Sequence, residues 1–431
     1  MNHAESAFLV IRSLLERHIG DAAFYWQQHD QSAHSALIGL QALWHFDRLL
    51  NAHLNGVRTA GEAGWQLALQ ALERWGGAGE LFVCATLALE QRREAWQQPV
   101  FAAVQRNPVC LLRGLISATL WLPIRPRREF IEQWSRPDAT ELMQTAAWCV
   151  LARCGGVADG QALQTRFDKA LRHPGLWVRA AACRASACLR LTEQIPACLR
   201  DEAGEVAVEA AIALQRAGSE QGRAKLQTTV IGVAGYLDKL GAHDRQRAQH
   251  RLERWLRYLA LSLPPASPDV ENLLAQLPPR LRLSFILHHG DAAWLPLVRE
   301  QMYNPECARL AGRVWSILVG VDLETHGLAL PIPSRDAGRE FPTDNLDLGL
   351  PMPNERAVAG FGLSLPEGQR TLLGRSLDRL DRLDLYALLR NAPQNVRWIA
   401  ARHLEQRESF TFNTSAPARE QSETMERHFR G

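Results

Sequence analysis

The stretch "HPGLWVRAAACRASACLRL", His173 to Leu191, decides the fold. Its histidine and two cysteines suggest a metal or redox site at first sight, but the spacing of its small residues favours a packed helix. After the turn His173-Pro174-Gly175, small and apolar residues recur at helical spacing and form one face. The predicted face consists of Val178, Ala181, Ala182, Ala185 and Leu189. We therefore expect this helix to pack against a neighbour through its alanines.

The same pattern recurs along the chain. It returns 28 residues later as Val206, Ala210-Ala211 and Ala213-Leu214. Weaker copies occupy residues 145–155, 304–318 and 395–404. A repeat of roughly 28 to 35 residues is shorter than the standard HEAT repeat and typical of short HEAT-like units, which bury their small faces against one another. The sequence predicts an all-α, HEAT-like α-solenoid over residues 75–320.

Three further segments flank this array. Residues 1–74 are helical but more aromatic and less regular, as expected of an N-terminal cap. Residues 321–372 are rich in proline and glycine and predict an extended segment, either a strap over the array or a linker. Residues 373–431 predict C-terminal helices and a tail.

Composition sets the broad class of protein. Hydrophobic residues make up 46% and charged residues 22% of the chain, the balance of an ordered protein. A net charge of +3 gives no global field for nucleic acid or an anionic membrane. The N-terminal "MNHAESAFLV" lacks the pattern of a signal peptide, and the longest apolar stretch, 114–124, is too short to span a bilayer. We expect a cytoplasmic protein with no membrane span.

The cysteines are poorly placed for a metal. Cys183 and Cys188 lie five residues apart, about 140° around a helix, so one helix cannot direct both at one ion. Cys149 and Cys154 have the same spacing. We interpret these cysteines as small core residues.

Two polar clusters are interpreted as helix signals. Ser267 is predicted to cap the helix in "SPDVENLLAQL", with Pro268 at its first position. The pair His288-His289 resembles a ligand cluster, but the following Asp291 is predicted to cap the helix in "AAWLPLVREQM".

No common catalytic motif is present. HExxH, GxSxG and GxxxxGK[ST] do not occur in the sequence. Asp344 and Asp347 in "PTDNLDLG" lack the remainder of a calcium loop and are predicted to be solvated. We therefore predict no catalytic residues, no cofactor and no metal.

One basic amphipathic stretch, residues 244–263, is a candidate interaction surface. Arg247, Arg251 and Arg254 share one face, and apolar residues form the opposite face. Such a face suits phosphate or an acidic partner. The alternative is a solvated helix face, because acidic residues interrupt the stretch.

Six strings, in this order, carry a resemblance to a known family: "AHLNGVRTAGEAGW" (52–65), "GELFVCATLALE" (79–90), "ARLAGRVWSILVGVDL" (308–323), "LPMPNERAVAGF" (350–361), "GQRTLLGRS" (368–376) and "FTFNTSAPAREQ" (410–421). The chain resembles a proteobacterial family of HEAT-like repeat proteins whose genes often lie beside type VI secretion spike and effector genes. The resemblance implies an accessory adaptor or chaperone that helps load an effector onto the spike.

The leading functional expectation is a non-enzymatic scaffold that binds another protein, a secretion effector or a spike component. An alternative is a nucleic-acid-binding or DNA-repair protein, since HEAT-like arrays also occur in DNA glycosylases. That alternative needs a concave arginine stripe with a central aromatic residue and carboxylate. A third hypothesis, an enzyme similar to bilin lyases, rests only on the short repeat length.

Overall fold

The computed structural model describes residues 11–154, 160–331, 347, 349–362, 365, 368–408 and 410–429. These residues form 22 α-helices and one very short antiparallel hairpin. The all-α prediction is therefore confirmed. The chain divides into two compact units, which we describe separately.

The first unit runs to Leu191 and also includes residues 390–401 and the chain from Phe410 onwards. It contains ten consecutive helices: α1 (Arg12–Gln31), α2 (Leu40–Thr59), α3 (Gly61–Trp75), α4 (Ala78–Gln91), α5 (Glu94–Arg106), α6 (Pro108–Trp121), α7 (Ile124–Trp134), α8 (Glu141–Cys154), α9 (Gly160–Leu171) and α10 (Leu176–Leu189).

Packing in this unit is serial. Helix α4 packs against α6, α6 against α8, and α8 against α10. Helices α3, α5, α7 and α9 each pack against the helix that follows them. The approach of α6 to α4 is tight, because a Cβ atom at Gly114 would lie 2.5 Å from the carbonyl oxygen of Ala78. The central row of helices is consequently buried along most of its length.

Helix α10 carries the face that the sequence predicts. Val178, Ala181, Ala182 and Ala185 are buried. Leu189 is only half-buried, because it is the last residue before Arg190, which ends the helix in the left-handed conformation. Helix α12 begins at Gly204, 28 residues after α10 begins at Leu176, as the repeat predicts.

The C-terminal residues of the first unit are held by polar contacts. His29 Nδ1 donates a hydrogen bond to Asp47 Oδ1 at 2.6 Å, and the second oxygen of Asp47 accepts from the backbone amide of Ala418 at 2.7 Å. The guanidinium of Arg127 bonds to the carboxylate of Glu420 at 2.8 Å. These contacts fix the first turn of α22 (Ala418–Phe429) against α2 and α7.

A buried amide network supports the same segment. Arg397 donates to Gln421 Oε1 at 2.6 Å and also contacts Gln394. Gln394 and Gln421 each donate to the carbonyl oxygen of Thr414. Burial lowers the pKa of Arg397 to about 10. The resemblance string at 410–421 therefore coincides with a densely hydrogen-bonded part of the first unit.

The second unit spans Thr192–Leu389 and residues 402–409. Its helices pack in a similar order, with α12 against α14, α14 against α16, and α16 against α18. Its elements are α11 (Ile195–Cys198), α12 (Gly204–Arg216), α13 (Arg223–Ala234), α14 (Ala242–Ser262), α15 (Pro268–Gln276), α16 (Pro279–His289), α17 (Leu295–Gln301), α18 (Ala308–Val319), α19 (Glu355–Ala359), β1 (Thr371–Leu372) and β2 (Arg375–Ser376).

Two later helices each have some residues in the first unit and the rest in the second. They are α20 (Arg382–Asn391) and α21 (Gln394–Glu408). Helices therefore return after residue 373, whereas the four-segment division (1–74, 75–320, 321–372 and 373–431) stays a prediction.

Two described residues of the proline-rich segment bond to helices of the second unit, to which the segment belongs. Arg280 of α16 pairs with Asp347 through two hydrogen bonds of 2.8 and 2.9 Å, and Arg309 of α18 donates to the carbonyl oxygen of Leu350. The prediction that Asp347 is solvated is wrong, since its side chain is only 5% exposed within this ion pair. Asp344 lies outside the described residues.

The hairpin is an element that sequence patterns did not predict. Strand β1 pairs with β2 across the turn residues Leu373 and Gly374, which have φ angles of 51° and 74°. Two consecutive positive φ angles fit a two-residue hairpin turn, which normally takes Asn-Gly or Asp-Gly. Because leucine is unusual at the first turn position, the sequence did not indicate a turn here. The backbone amide of Leu373 donates a hydrogen bond to the carbonyl oxygen of Ile317 in α18 at 2.7 Å.

Candidate functional site

The predicted arginine surface lies on α14 of the second unit. Side chains of Arg247 and Arg251 are 45% and 53% exposed, whereas that of Arg254 is 27% exposed. Each lies within 4 Å of a carboxylate: Arg247 is 3.8 Å from Asp244, and Arg251 is 3.7 Å from Glu205 of α12. Acidic side chains of the same unit therefore offset much of the positive charge that the sequence predicts for this face.

Arg254 has a clear packing role. It donates two hydrogen bonds to Glu209 of α12, at 2.6 and 2.7 Å, and its guanidinium lies 5.7 Å from the ring centroid of Tyr258. The Glu209 side chain is 6% exposed, so the pair is largely shielded from water. Paired in this way, the guanidinium offers little to an external phosphate. The role of the three arginines as an interaction surface stays a prediction.

The histidine pair forms the end of α16. His288 and His289 are both buried, and Gly290 follows in the left-handed conformation. Nδ1 of His288 donates to the carbonyl oxygen of Ser284 at 2.7 Å, and Nδ1 of His289 to that of Ala260 at 3.0 Å. Burial is the main cause that lowers the pKa of His288 to about 3 and that of His289 to about 4. Both imidazoles are neutral at pH 7.

The two predicted caps are confirmed. Ser267 accepts a hydrogen bond from the backbone amide of Asp269 at the start of α15. Asp291 accepts from the amide of Ala293, in a 3₁₀ turn that leads directly into α17. Asp291 also accepts from the amide of Ala266 at 2.9 Å, which joins two loops of the second unit. Ser267 and Asp291 therefore stabilise helix starts and the loops that precede them.

The cysteines of the opening stretch are buried thiols. Cys183 and Cys188 of α10 are both buried, and Sγ of Cys188 is 3.1 Å from the carbonyl oxygen of Ala152. Their interpretation as small core residues is confirmed. Across the described ranges, no three His, Cys, Asp or Glu side chains are grouped in a way that would hold a metal ion.

A surface groove in the first unit is the feature that sequence reasoning missed. It has a volume of about 580 Å³ and lies between α5, α7 and the first turn of α8. Phe101, Phe130 and Met143 contribute its apolar surface. Phe101 and Phe130 both pack against the ring of Trp134, at centroid distances of 5.8 and 5.2 Å. This packing holds the aromatic side chains of the groove in place.

Charged and amide side chains line the rest of the groove. Arg92 ends α4 with a φ of 55°, pairs with Glu129 at 2.5 Å and lies 5.9 Å from the ring centroid of Phe130. The hydrogen bond from Arg92 lowers the pKa of Glu129. Glu94, the first residue of α5, also lines the groove. The only sequence signal for this site is the polar run "EAWQQ" (94–98), which looks like an ordinary solvated helix start.

Comparison of the chain with family models, curated proteins and solved structures returned no match. Within the described part of the chain, no helix combines the length and apolar character needed to cross a bilayer.

Proposed function

We propose that this chain is a non-enzymatic, HEAT-like α-solenoid scaffold that binds another protein in the cytoplasm. The observation that carries the proposal is the serial packing within each unit, from α4 to α10 and from α12 to α18. Stacked helices of this kind present extended surfaces, which suit protein ligands. The open, partly apolar groove beside Phe101 adds a specific binding surface to the first unit.

The biological context in this proposal comes from the family resemblance. The scaffold acts as an adaptor or chaperone in type VI secretion, and its ligand is an effector or a spike component. This part of the proposal is supported only by the gene neighbourhood of the family that the chain resembles, which is an association and not a property of any residue.

A secretion assay tests the context. In the native host, an in-frame deletion of the gene is compared with the parent and with a strain whose secretion apparatus is inactive. We expect the deletion to remove at least one effector from the culture supernatant, and a wild-type copy to restore it. Secretion of every effector at the parental level would reject the role in secretion.

The three arginines of α14 do not favour nucleic-acid binding, the alternative function that the sequence leaves open. It requires arginines that are available to phosphate, and Arg254 is committed to Glu209 while Arg247 and Arg251 each lie near a carboxylate.

A further inference from the structure

The groove between α5, α7 and α8 has the features of a peptide site. Its volume of about 580 Å³ is within the usual range of roughly 300 to 1,000 Å³ for ligand sites. Several lining side chains, including those of Arg92, Glu94 and Gln98, are exposed, so the groove is not an enclosed pocket for a small molecule. An open groove of this size suits a short stretch of polypeptide.

Its apolar part would accept one apolar side chain. Phe101 and Met143 are half-buried and Phe130 is buried, so an incoming side chain would complete the packing around them. Aromatic residues and methionine are enriched in the buried centres of protein interfaces. An apolar anchor is therefore the first requirement for the ligand.

Amide side chains supply the second feature. Gln97, Gln98 and Gln133 line the groove. Gln98 donates to Glu94 at 3.3 Å, whereas the side-chain amides of Gln97 and Gln133 hydrogen-bond to no other described residue. Each amide offers both donors and an acceptor, which match the N–H and C=O groups of an extended backbone. We therefore expect the ligand to bind in an extended conformation, with its backbone N–H and C=O groups facing these amide side chains.

Charge is the third feature. Arg92 and Arg125 both contact Glu129, at 2.5 and 3.3 Å, so that carboxylate is already balanced. Glu94 has no basic partner among the described residues. Of the two carboxylates in the lining, Glu94 is therefore the one that has no basic partner within 4 Å among the described residues. A ligand with a basic side chain would complement it.

We propose that this groove binds an extended segment of the partner protein in which an apolar residue stands next to a lysine or arginine. The apolar residue packs on Phe101, Phe130 and Met143, the main chain bonds to Gln97 and Gln133, and the cation faces Glu94. This inference rests on the proposed function as a protein-binding scaffold.

The test is a selection of random dodecapeptides displayed on phage against the full chain. Wild type is compared with Glu94→Lys, and with Glu73→Lys as a matched control, because Glu73 is an exposed helical glutamate outside the groove. We expect wild type to enrich peptides with an apolar-basic pair, and synthetic copies to lose about tenfold in affinity for Glu94→Lys but less than about twofold for Glu73→Lys. Glu94→Lys should instead enrich acidic peptides. Circular dichroism verifies that each variant is folded.

Several outcomes would overturn the proposal. One is the absence of enrichment, and another is enriched peptides that bind wild type and Glu94→Lys equally. Concentration-dependent dimerisation of wild type that Glu94→Lys abolishes would identify a second copy of the chain as the occupant. None of these outcomes decides the scaffold function, because that function is tested separately by the secretion assay and by affinity purification of the whole partner.

Discussion

Arg254 of α14 and Glu209 of α12 form a two-point ion pair, with Nη1 2.6 Å from Oε1 and Nη2 2.7 Å from Oε2. The two residues are 45 positions apart, and the carboxylate is buried. The basic face predicted from sequence is thus partly a packing contact between neighbouring helices of the second unit.

Loss of this arginine should destabilise the protein. Arg254→Ala removes the guanidinium from a buried carboxylate, and we expect a loss of about 3 kcal/mol in the free energy of unfolding. Arg247→Ala, the matched control, removes an exposed 3.8 Å pair and should change it by less than about 0.5 kcal/mol. Urea unfolding followed by circular dichroism measures both. Equal losses for the two variants would mean that the Arg254–Glu209 pair does not join the helices as described.

A larger side chain at a buried alanine tests the packing of α10. Ala182 is fully buried, so Ala182→Leu should cost about 1–3 kcal/mol through overpacking. Cys183→Ser should cost much less, because a hydroxyl in this helix can bond to a backbone carbonyl, as Ser186 does to Cys183 at 2.8 Å. The comparison uses the same unfolding measurement. If the cysteine variant is the less stable of the two, alanine packing is not what holds α10.

Stability should fall in acid. Burial, together with the nearby Arg370 and Arg407, lowers the pKa of His403 to about 3, and His288 and His289 are shifted in the same direction. Below about pH 6.5 the unfolded chain takes up protons that the folded chain does not, so the free energy of unfolding falls as the pH falls. Above about pH 7 these histidines contribute no pH dependence.

Replacement of His403 tests how much of this pH dependence comes from that one histidine. Each histidine contributes a slope of at most about 1.4 kcal/mol per pH unit, so His403→Asn should reduce the slope between about pH 6 and 5 by up to that amount. The control His250→Asn replaces an exposed histidine of α14. An unchanged slope in His403→Asn would show that His403 is accessible to protons in the folded state.

The C-terminal segment should loosen when Asp47 is lost. Asp47→Ala removes acceptors from His29 and from the Ala418 amide, and we expect a loss of about 3 kcal/mol with faster proteolysis near residues 410–417. Limited proteolysis with mass spectrometry locates the cuts. Asp138→Ala, at an exposed position, is the control. Unchanged cleavage in Asp47→Ala would contradict this anchoring role.

Local signals in the sequence predicted much of the helical structure. The caps at Ser267 and Asp291 depend on residues within about one turn, whereas the alanine face of α10 and the start of α12 follow from helical spacing and from the 28-residue repeat. Such features are encoded by neighbours in the chain, and periodicity reveals them.

Features that depend on distant residues were not predictable in this way. Asp347 is buried because Arg280, 67 residues earlier, pairs with it. The groove brings Glu94, Glu129 and Met143 together through helix packing, and no spacing in the sequence marks it. The hairpin at Leu373 is held by contacts with α18 and has leucine where the usual turn has asparagine or aspartate.

Affinity purification of the tagged chain from its native host, with nuclease treatment and quantification of bound protein, tests the scaffold function most directly. We expect that one secretion effector or spike component is recovered in near-stoichiometric amount and stays bound after nuclease treatment and in moderate salt. Recovery of the chain with no such protein, or with material that nuclease removes, would contradict it.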